Sequence, residues 1–210
     1  MKKNPLHPTG WLWHNHKKKL SFLAIPKSGS NSIRKMTGCL EGPNMKRYPG
    51  YKTFSIIREP IDRYISAYIE VLIPSSDYPK GRYRQNLGLT HKLINLCDEL
   101  KKIKDDIEKF QKFTDYIIEY GFFEPHTEPQ TYYLNNIGNI GIYKLENLDY
   151  LLKELSIDTV LYENKTESSN IKKTIKEYIK TDLNYFNKVN DLFISDINLY
   201  ESFNDKKTIK

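Results

Sequence analysis

At 210 residues, with 39% apolar and 28% charged side chains, the chain is read as one domain over residues 1–210, long enough to bury a core. A formal net charge of +7 points to an anionic partner without naming it, since nucleic acid, an anionic membrane or a polyanionic nucleotide would each fit. Two cysteines, Cys39 and Cys97, without Cys-x-x-Cys spacing, argue against a disulfide framework or a zinc site and read as reduced thiols, Cys39 at a buried helix end.

Met1-Lys2-Lys3 is basic like the start of a signal peptide, but Asn4-Pro5-Leu6-His7-Pro8 supplies no apolar stretch behind it. Nothing approaches the roughly 18 apolar residues that span a bilayer. The chain therefore reads as soluble and cytoplasmic, of bacterial or viral origin, with peripheral membrane contact left open by its charge.

Trp11-Leu12-Trp13 is a short β-like run, followed by a polar turn at Asn15-His16-Lys17-Lys18. His14 and His16 alternate as strand-borne metal ligands could, but no third ligand stands nearby. Leu20 to Ile25 is apolar and β-favouring, short enough for one buried strand. Pro26 stops it, and Gly29 lets the backbone turn tightly. Ser30 or Asn31 then caps a helix whose apolar face is Ile33, Met36 and Leu40. A strand, a small-residue loop and a helix N-terminus form an anion site from backbone N–H groups and the helix dipole. Lys27, at the strand's end, can reach the same guest. Gly42-Pro43-Asn44 and Tyr48-Pro49-Gly50 break the chain, so residues 41–51 read as a loop.

The architecture then repeats. Thr53 to Ile57 is a short strand, Arg58 stands at its end, and Pro60 falls in the first turn of a helix, where proline is tolerated. Ile61, Tyr64, Ile65, Tyr68, Ile69 and Leu72 share one helical face, and Ser66 lies off that stripe. Residues 73–84 form a long polar loop, either a solvated connection or a lip for a substrate. Residues 90–120 read helical with a solvated, charged middle at 101–106, and Gly121 ends them. Ile140 to Lys144 is the third clear strand, followed by a helix over 148–155 and a β-like run over 159–162. A polar loop follows at 164–169, and two helices fill roughly 170–203.

Two stretches carry a resemblance. Pro26-Lys27-Ser28-Gly29-Ser30-Asn31-Ser32 resembles the loop by which sulfotransferases hold the 5′-phosphosulfate of 3′-phosphoadenylyl sulfate (PAPS). Arg58, with Ser66 eight residues on in an Arg-Glu-Pro-x-x-Arg-x-x-Ser-Ala-Tyr setting, resembles their 3′-phosphate site. Both in order, each at a strand end, make a strong joint signal. The likeness is closer to the carbohydrate sulfotransferases than to the aryl and steroid enzymes, whose Thr-Thr-Trp and late Arg-Lys-Gly elements are not found. His126-Thr127-Glu128-Pro129-Gln130 is similar to a His-x-x-Pro-Gln segment of the short carbohydrate enzymes, and Asp196, Tyr200 and Phe203 echo the family's closing pattern.

The resemblance implies a three-layer, P-loop-like α/β domain with a short, mostly parallel sheet flanked by helices and the donor at the strands' C-terminal ends. It also implies transfer of a sulfuryl group from PAPS to a hydroxyl of a glycan or glycolipid, without a metal. Lys27 would serve the leaving oxygen, and residues 26–32 with Arg58 and Ser66 would hold the donor. The general base falls to His126 or Glu41, and the near-neutral imidazole favours His126. A P-loop kinase or NTPase is the rival enzyme, but the loop lysine precedes its glycine instead of following it. A nucleic-acid-binding protein is the other rival. Its cations would not be interleaved with acids, and no recognised motif appears.

Overall fold

The computed structural model describes residues 11–44, 46–72, 95–96, 98–122, 125–135, 137–157 and 169–209. The elements in the first part of the chain are β1 (Trp11–Asn15), β2 (Leu20–Ala24), α1 (Ser30–Thr37), β3 (Glu41–Asn44), β4 (Lys52–Ile57) and α2 (Pro60–Leu72). Further on come α3 (Asp106–Tyr120), α4 (Gln130–Leu134), β5 (Ile140–Lys144) and a 3-10 turn (Leu145–Asn147) that runs into α5 (Leu148–Glu154). The chain closes with α6 (Ser169–Thr181), α7 (Leu183–Leu192), α8 (Ile194–Glu201) and β6 (Lys206–Ile209). The chain divides into two compact units: Met1–Pro60, Pro129–Lys165 and Ser195–Lys210 make the first, and Ile61–Glu128 and Thr166–Ile194 the second.

The first unit is a six-stranded sheet in the order β3-β1-β2-β4-β5-β6. Strand alternation gives it two apolar faces. On one, Leu20, Phe22, Phe54, Ile56 and Tyr143 meet Ile33 and Met36 of α1 and Leu148, Leu151 and Leu152 of α5. On the other, Leu12, Leu23, Ile57, Ile140 and Ile142 meet Tyr133 and Leu134 of α4, with Leu199 and Tyr200 of α8 against them. Helices thus cover both faces, giving the three layers expected. The expectation of a mostly parallel sheet is corrected. Only the β2–β4 and β4–β5 pairings are parallel, and the other three are antiparallel. For β1 and β2 the reason is local: the chain returns through a tight turn, which can only join antiparallel strands.

The second unit is helical and packed on aromatic rings. Tyr64 and Tyr68 of α2 meet Phe110 and Phe113 of α3, and Tyr64 also meets Phe193. The buried Tyr64 hydroxyl is satisfied by Thr114 Oγ1 at 2.9 Å. Burial pushes the phenols of Tyr64, Tyr68 and Tyr185 up from their ordinary range.

Three sequence readings are revised. Residues 41–44, read as loop, form an edge strand. The charged stretch at 101–106 ends in a helix start, not a helix middle: the Asp105 carboxylate accepts from Glu108 N–H at 2.8 Å, an N-cap. Among the described residues the C-terminal part holds three helices rather than two, because the Asp182 carboxylate accepts from Tyr185 N–H at 2.9 Å and starts α7 afresh. The loop at 73–84, the β-like run at 159–162, residues 164–168 and Cys97 lie outside the described residues. Cys39 is fully buried, and burial pushes its thiol up. Among the described residues no helix is long and apolar enough to cross a membrane.

Candidate functional site

In the first unit, Ser28 N–H donates to Ile25 O at 3.3 Å, closing a turn behind Pro26. Lys27 (φ 66°) and Gly29 (φ 74°) are both left-handed. Glycine adopts that region freely, whereas for a lysine it costs about 1 kcal/mol. The turn delivers the chain into α1, whose first internal bond runs from Ile33 N–H to Gly29 O at 3.1 Å. Neither Ser30 nor Asn31 caps the helix; Gly29 occupies that position without a side-chain bond. Two of the loop's serine hydroxyls already have acceptors within the protein. Ser30 Oγ donates to Ile25 O at 2.5 Å, and Ser28 Oγ, on a residue 1% exposed, donates to Gln130 Oε1 at 3.1 Å. The backbone amides of α1's first turn and the charge of Lys27 are the groups that could hold an anion here.

Gln130, itself 1% exposed, joins this turn to the end of β4. Its Oε1 also accepts from Arg58 N–H at 2.8 Å, and its Nε2 donates to Arg58 O at 2.8 Å. The Arg58 guanidinium approaches Lys27 O at 3.5 Å. The backbone below Gln130 is fixed as well. Buried Asp196 of α8 accepts from Gln130 N–H at 2.6 Å and from Thr131 N–H and Oγ1 at 2.9 Å each, capping α4 from a distant stretch of chain. The sequence reading placed Gln130 in a motif but gave it no role, and a buried amide that serves three partners is visible only in three dimensions. Since β2 and β4 are parallel neighbours, Lys27 and Arg58 leave the sheet at the same end.

Ser66 and His126 belong to the second unit. Ser66, 3% exposed on α2, donates from Oγ to Asp62 O at 2.8 Å and accepts from Lys172 Nζ at 3.4 Å. Asp62 receives Lys172 at 3.5 Å and also pairs with Lys176. His126 is half-buried in the turn Pro125–Glu128. In the same unit fully buried Arg63 donates to Glu128 O at 2.7 Å, anchoring the end of that turn.

Glu41 stands elsewhere in the first unit. On edge strand β3 it is registered opposite His14, which faces Ser21, three residues before the end of β2. That is roughly 10 Å back along the strand from Ala24, at the usual rise per residue. Its carboxylate pairs with His16 Nε2 at 3.0 Å, and His16 Nδ1 meets the Tyr51 hydroxyl at 2.6 Å. His14, fully buried, has both ring nitrogens engaged, by Ser21 Oγ and Asn44 Oδ1 at 2.9 Å each. Among the described residues no group of three or more His, Cys, Asp or Glu side chains is arranged to hold a metal ion.

The chain matches the family described as "Sulfotransferase family" over residues 40–203. The match starts after the Pro26–Ser32 loop and takes in Arg58, Ser66, His126, Gln130 and Asp196. No curated protein and no solved structure matches the chain. With most of its length inside the family match, this chain belongs to the sulfotransferase family.

Proposed function

We propose that the protein transfers the sulfuryl group of PAPS to a hydroxyl of a glycan or glycolipid. The observation that carries this reading is the Gln130 side chain. One buried amide holds Ser28 of the loop and the backbone of Arg58, so the two cations assigned to the donor come off neighbouring strands at one end of the sheet. PAPS supplies an activated sulfuryl group on a nucleotide leaving group.

The residues present suit such a polyanion. A left-handed turn feeds the N-terminus of α1, Lys27 is at the turn, and Arg58 offers a planar fork. Lys27 neutralises the charge that grows on the leaving oxygen, an electrostatic role that matters most in the transition state. Arg58 and the backbone amides of the turn bind and orient the donor. Ser66 is assigned to the 3′-phosphate from its motif. His126 takes the proton from the acceptor hydroxyl. Glu41 is the weaker alternative, because its register sets it back from the end of β2 and its carboxylate is paired with His16. The choice of a sugar acceptor rests on the likeness to the carbohydrate enzymes.

The test is incubation with sulfur-labelled PAPS and a glycan extract, in parallel for the parent, His126→Ala and Glu41→Gln at saturating donor. His126→Ala should lose turnover by about a hundredfold with donor binding intact. Loss confined to Glu41→Gln would make Glu41 the base, and no label in any glycan would refute the acceptor class.

A further inference from the structure

We propose that the end of the sheet facing away from Lys27 and Arg58 is a docking face for an anionic lipid surface, held there by its cations and by one apolar anchor, Leu40. The inference is independent of the donor assignment.

The first unit gathers cations at that end. β2 and β4 are parallel, so Leu20 and Lys52 start at one end, and Lys27 and Arg58 follow the other, about 20 Å away along β4. The β1–β2 turn carries Lys17, Lys18 and Lys19, all exposed, and Lys19 O accepts from Lys52 N–H at 2.9 Å. The connection into β4 folds onto the same end. His16 Nδ1 meets the Tyr51 hydroxyl at 2.6 Å, and Arg47 Nη2 donates to Gly138 O at 2.9 Å, just ahead of β5. Lys46 and Arg47 are exposed there as well. The neighbouring carboxylates are paired, Glu41 with His16 and Glu154 with Lys52 and Lys206. Like charges gathered on one face repel one another, and a surface of opposite sign relieves them.

Charge alone does not choose the partner, and two further features favour lipid. Leu40, which helical spacing places on the apolar side of α1, lies past the helix end and is 57% exposed. Its N–H donates to Gly38 O, and Asn15 Nδ2 donates to Thr37 O at 3.0 Å, so Leu40 stands beside the β1–β2 turn. Half-buried Tyr48 and Tyr51 add amphipathic rings, the kind that settle at a water–lipid boundary. A single-stranded nucleic acid would instead need open rings to stack on. Tyr48 is already engaged: it stacks with Tyr51, centroids 5.0 Å apart, and carries the Lys46 ammonium 4.9 Å from its ring centre. Docked this way, the unit turns the Lys27 end of its sheet toward water.

The experiment is co-sedimentation of the full chain with vesicles of phosphatidylcholine alone and of equal parts phosphatidylcholine and phosphatidylglycerol. Binding of a single-stranded oligonucleotide is measured in parallel. Three variants accompany the parent: Lys17→Gln/Lys18→Gln/Lys46→Gln, Leu40→Ser, and Lys102→Gln/Lys104→Gln/Lys180→Gln. The last removes the same charge from exposed lysines of the second unit, and thermal unfolding is the fold check for all three. The parent should bind the mixed vesicles and not phosphatidylcholine alone. The sheet-end lysine variant should lose about a hundredfold in partitioning, the scale of three lysines near an anionic surface. Leu40→Ser should lose at least about threefold, and that loss should not shrink as salt screens the charges. The second-unit variant should change by less than about threefold. Equal losses for the two lysine variants would show net charge alone at work and overturn the proposal. Leu40→Ser binding like the parent would make the face a plain polyanion site and overturn the lipid assignment. A parent that ignores the mixed vesicles, or binds the oligonucleotide through these lysines in their place, would overturn it too.

Discussion

Gln130 and Arg58 hold each other through a reciprocal pair of hydrogen bonds, Arg58 N–H to Gln130 Oε1 and Gln130 Nε2 to Arg58 O, both 2.8 Å. The same Oε1 accepts from Ser28 Oγ at 3.1 Å. A glutamine is well suited to this place. It offers an acceptor that takes two donors and a donor for a carbonyl, all in one planar group. The backbone of Arg58 is thereby fixed on both its N–H and its carbonyl.

Gln130→Ala should destabilise the fold by about 2–4 kcal/mol, since it strands buried groups on Ser28 and Arg58. Urea unfolding would read this directly. Gln130→Glu should also lose stability, because the Arg58 carbonyl would then face a carboxylate instead of an N–H. A loss below about 0.5 kcal/mol for the alanine variant would mean that water replaces the amide at little cost.

Gly29→Ala tests the turn. Gly29 has φ 74°, and a Cβ there would stand 3.0 Å from Leu145 Cδ1. The left-handed backbone alone should cost about 1–2 kcal/mol. Adding Leu145→Ala should relieve the crowding but not the backbone cost, so stability of the double variant, corrected for Leu145→Ala alone, separates the two. Full recovery in the double variant would show that the backbone conformation is not the constraint.

Glu154 predicts an acid limit to stability. Its carboxylate accepts from Lys52 at 2.6 Å, Lys206 at 2.7 Å and the Tyr143 hydroxyl at 2.9 Å, tying α5 to β4, β5 and β6. Burial alone would raise this carboxyl, but the hydrogen bonds from Lys206, Lys52 and Tyr143 outweigh it and hold it at about 2, against an ordinary 4.5. A carboxyl depressed in the folded state stabilises the fold above its unfolded value and loses that contribution as the pH falls through the folded one. The gap in stability between the parent and Glu154→Gln should therefore be full above about pH 5 and shrink steadily toward pH 2. A gap that stays constant across that range would contradict the assignment.

Much of this was legible in the sequence where a period or a motif carries it. The strands at Leu20 and Thr53, the helix from Pro60 and the turn at Gly29 follow from apolar spacing and from proline and glycine chemistry. What was not legible depends on partners far away in the chain. Edge strand β3, Glu-Gly-Pro-Asn, has no apolar alternation and exists because β1 pairs with it. Ser28 and Ser30 look like anion ligands in the sequence, yet their hydroxyls close the turn on Gln130 and Ile25. The helix start at Asp105 did leave a signal: an Asp with Glu108 three residues on is a capping pattern, hidden by the run of charges around it.

Lys27→Ala separates catalysis from binding. If the ammonium serves the leaving oxygen, kcat should fall by at least about a hundredfold while donor KM changes little. Unchanged kcat with a raised KM would reduce Lys27 to a binding residue.

Comparative ligand stabilisation bears most directly on the central claim, that the chain binds PAPS as its sulfuryl donor. Thermal unfolding would be followed with adenosine 3′,5′-bisphosphate, with ATP–Mg²⁺ and with a single-stranded oligonucleotide, for the parent and Arg58→Ala. The account predicts stabilisation of the parent by the bisphosphate alone, and loss of about 2–4 kcal/mol of bisphosphate binding in Arg58→Ala. Stabilisation by ATP–Mg²⁺ or the oligonucleotide in place of the bisphosphate, or an Arg58→Ala response equal to the parent's, would contradict it.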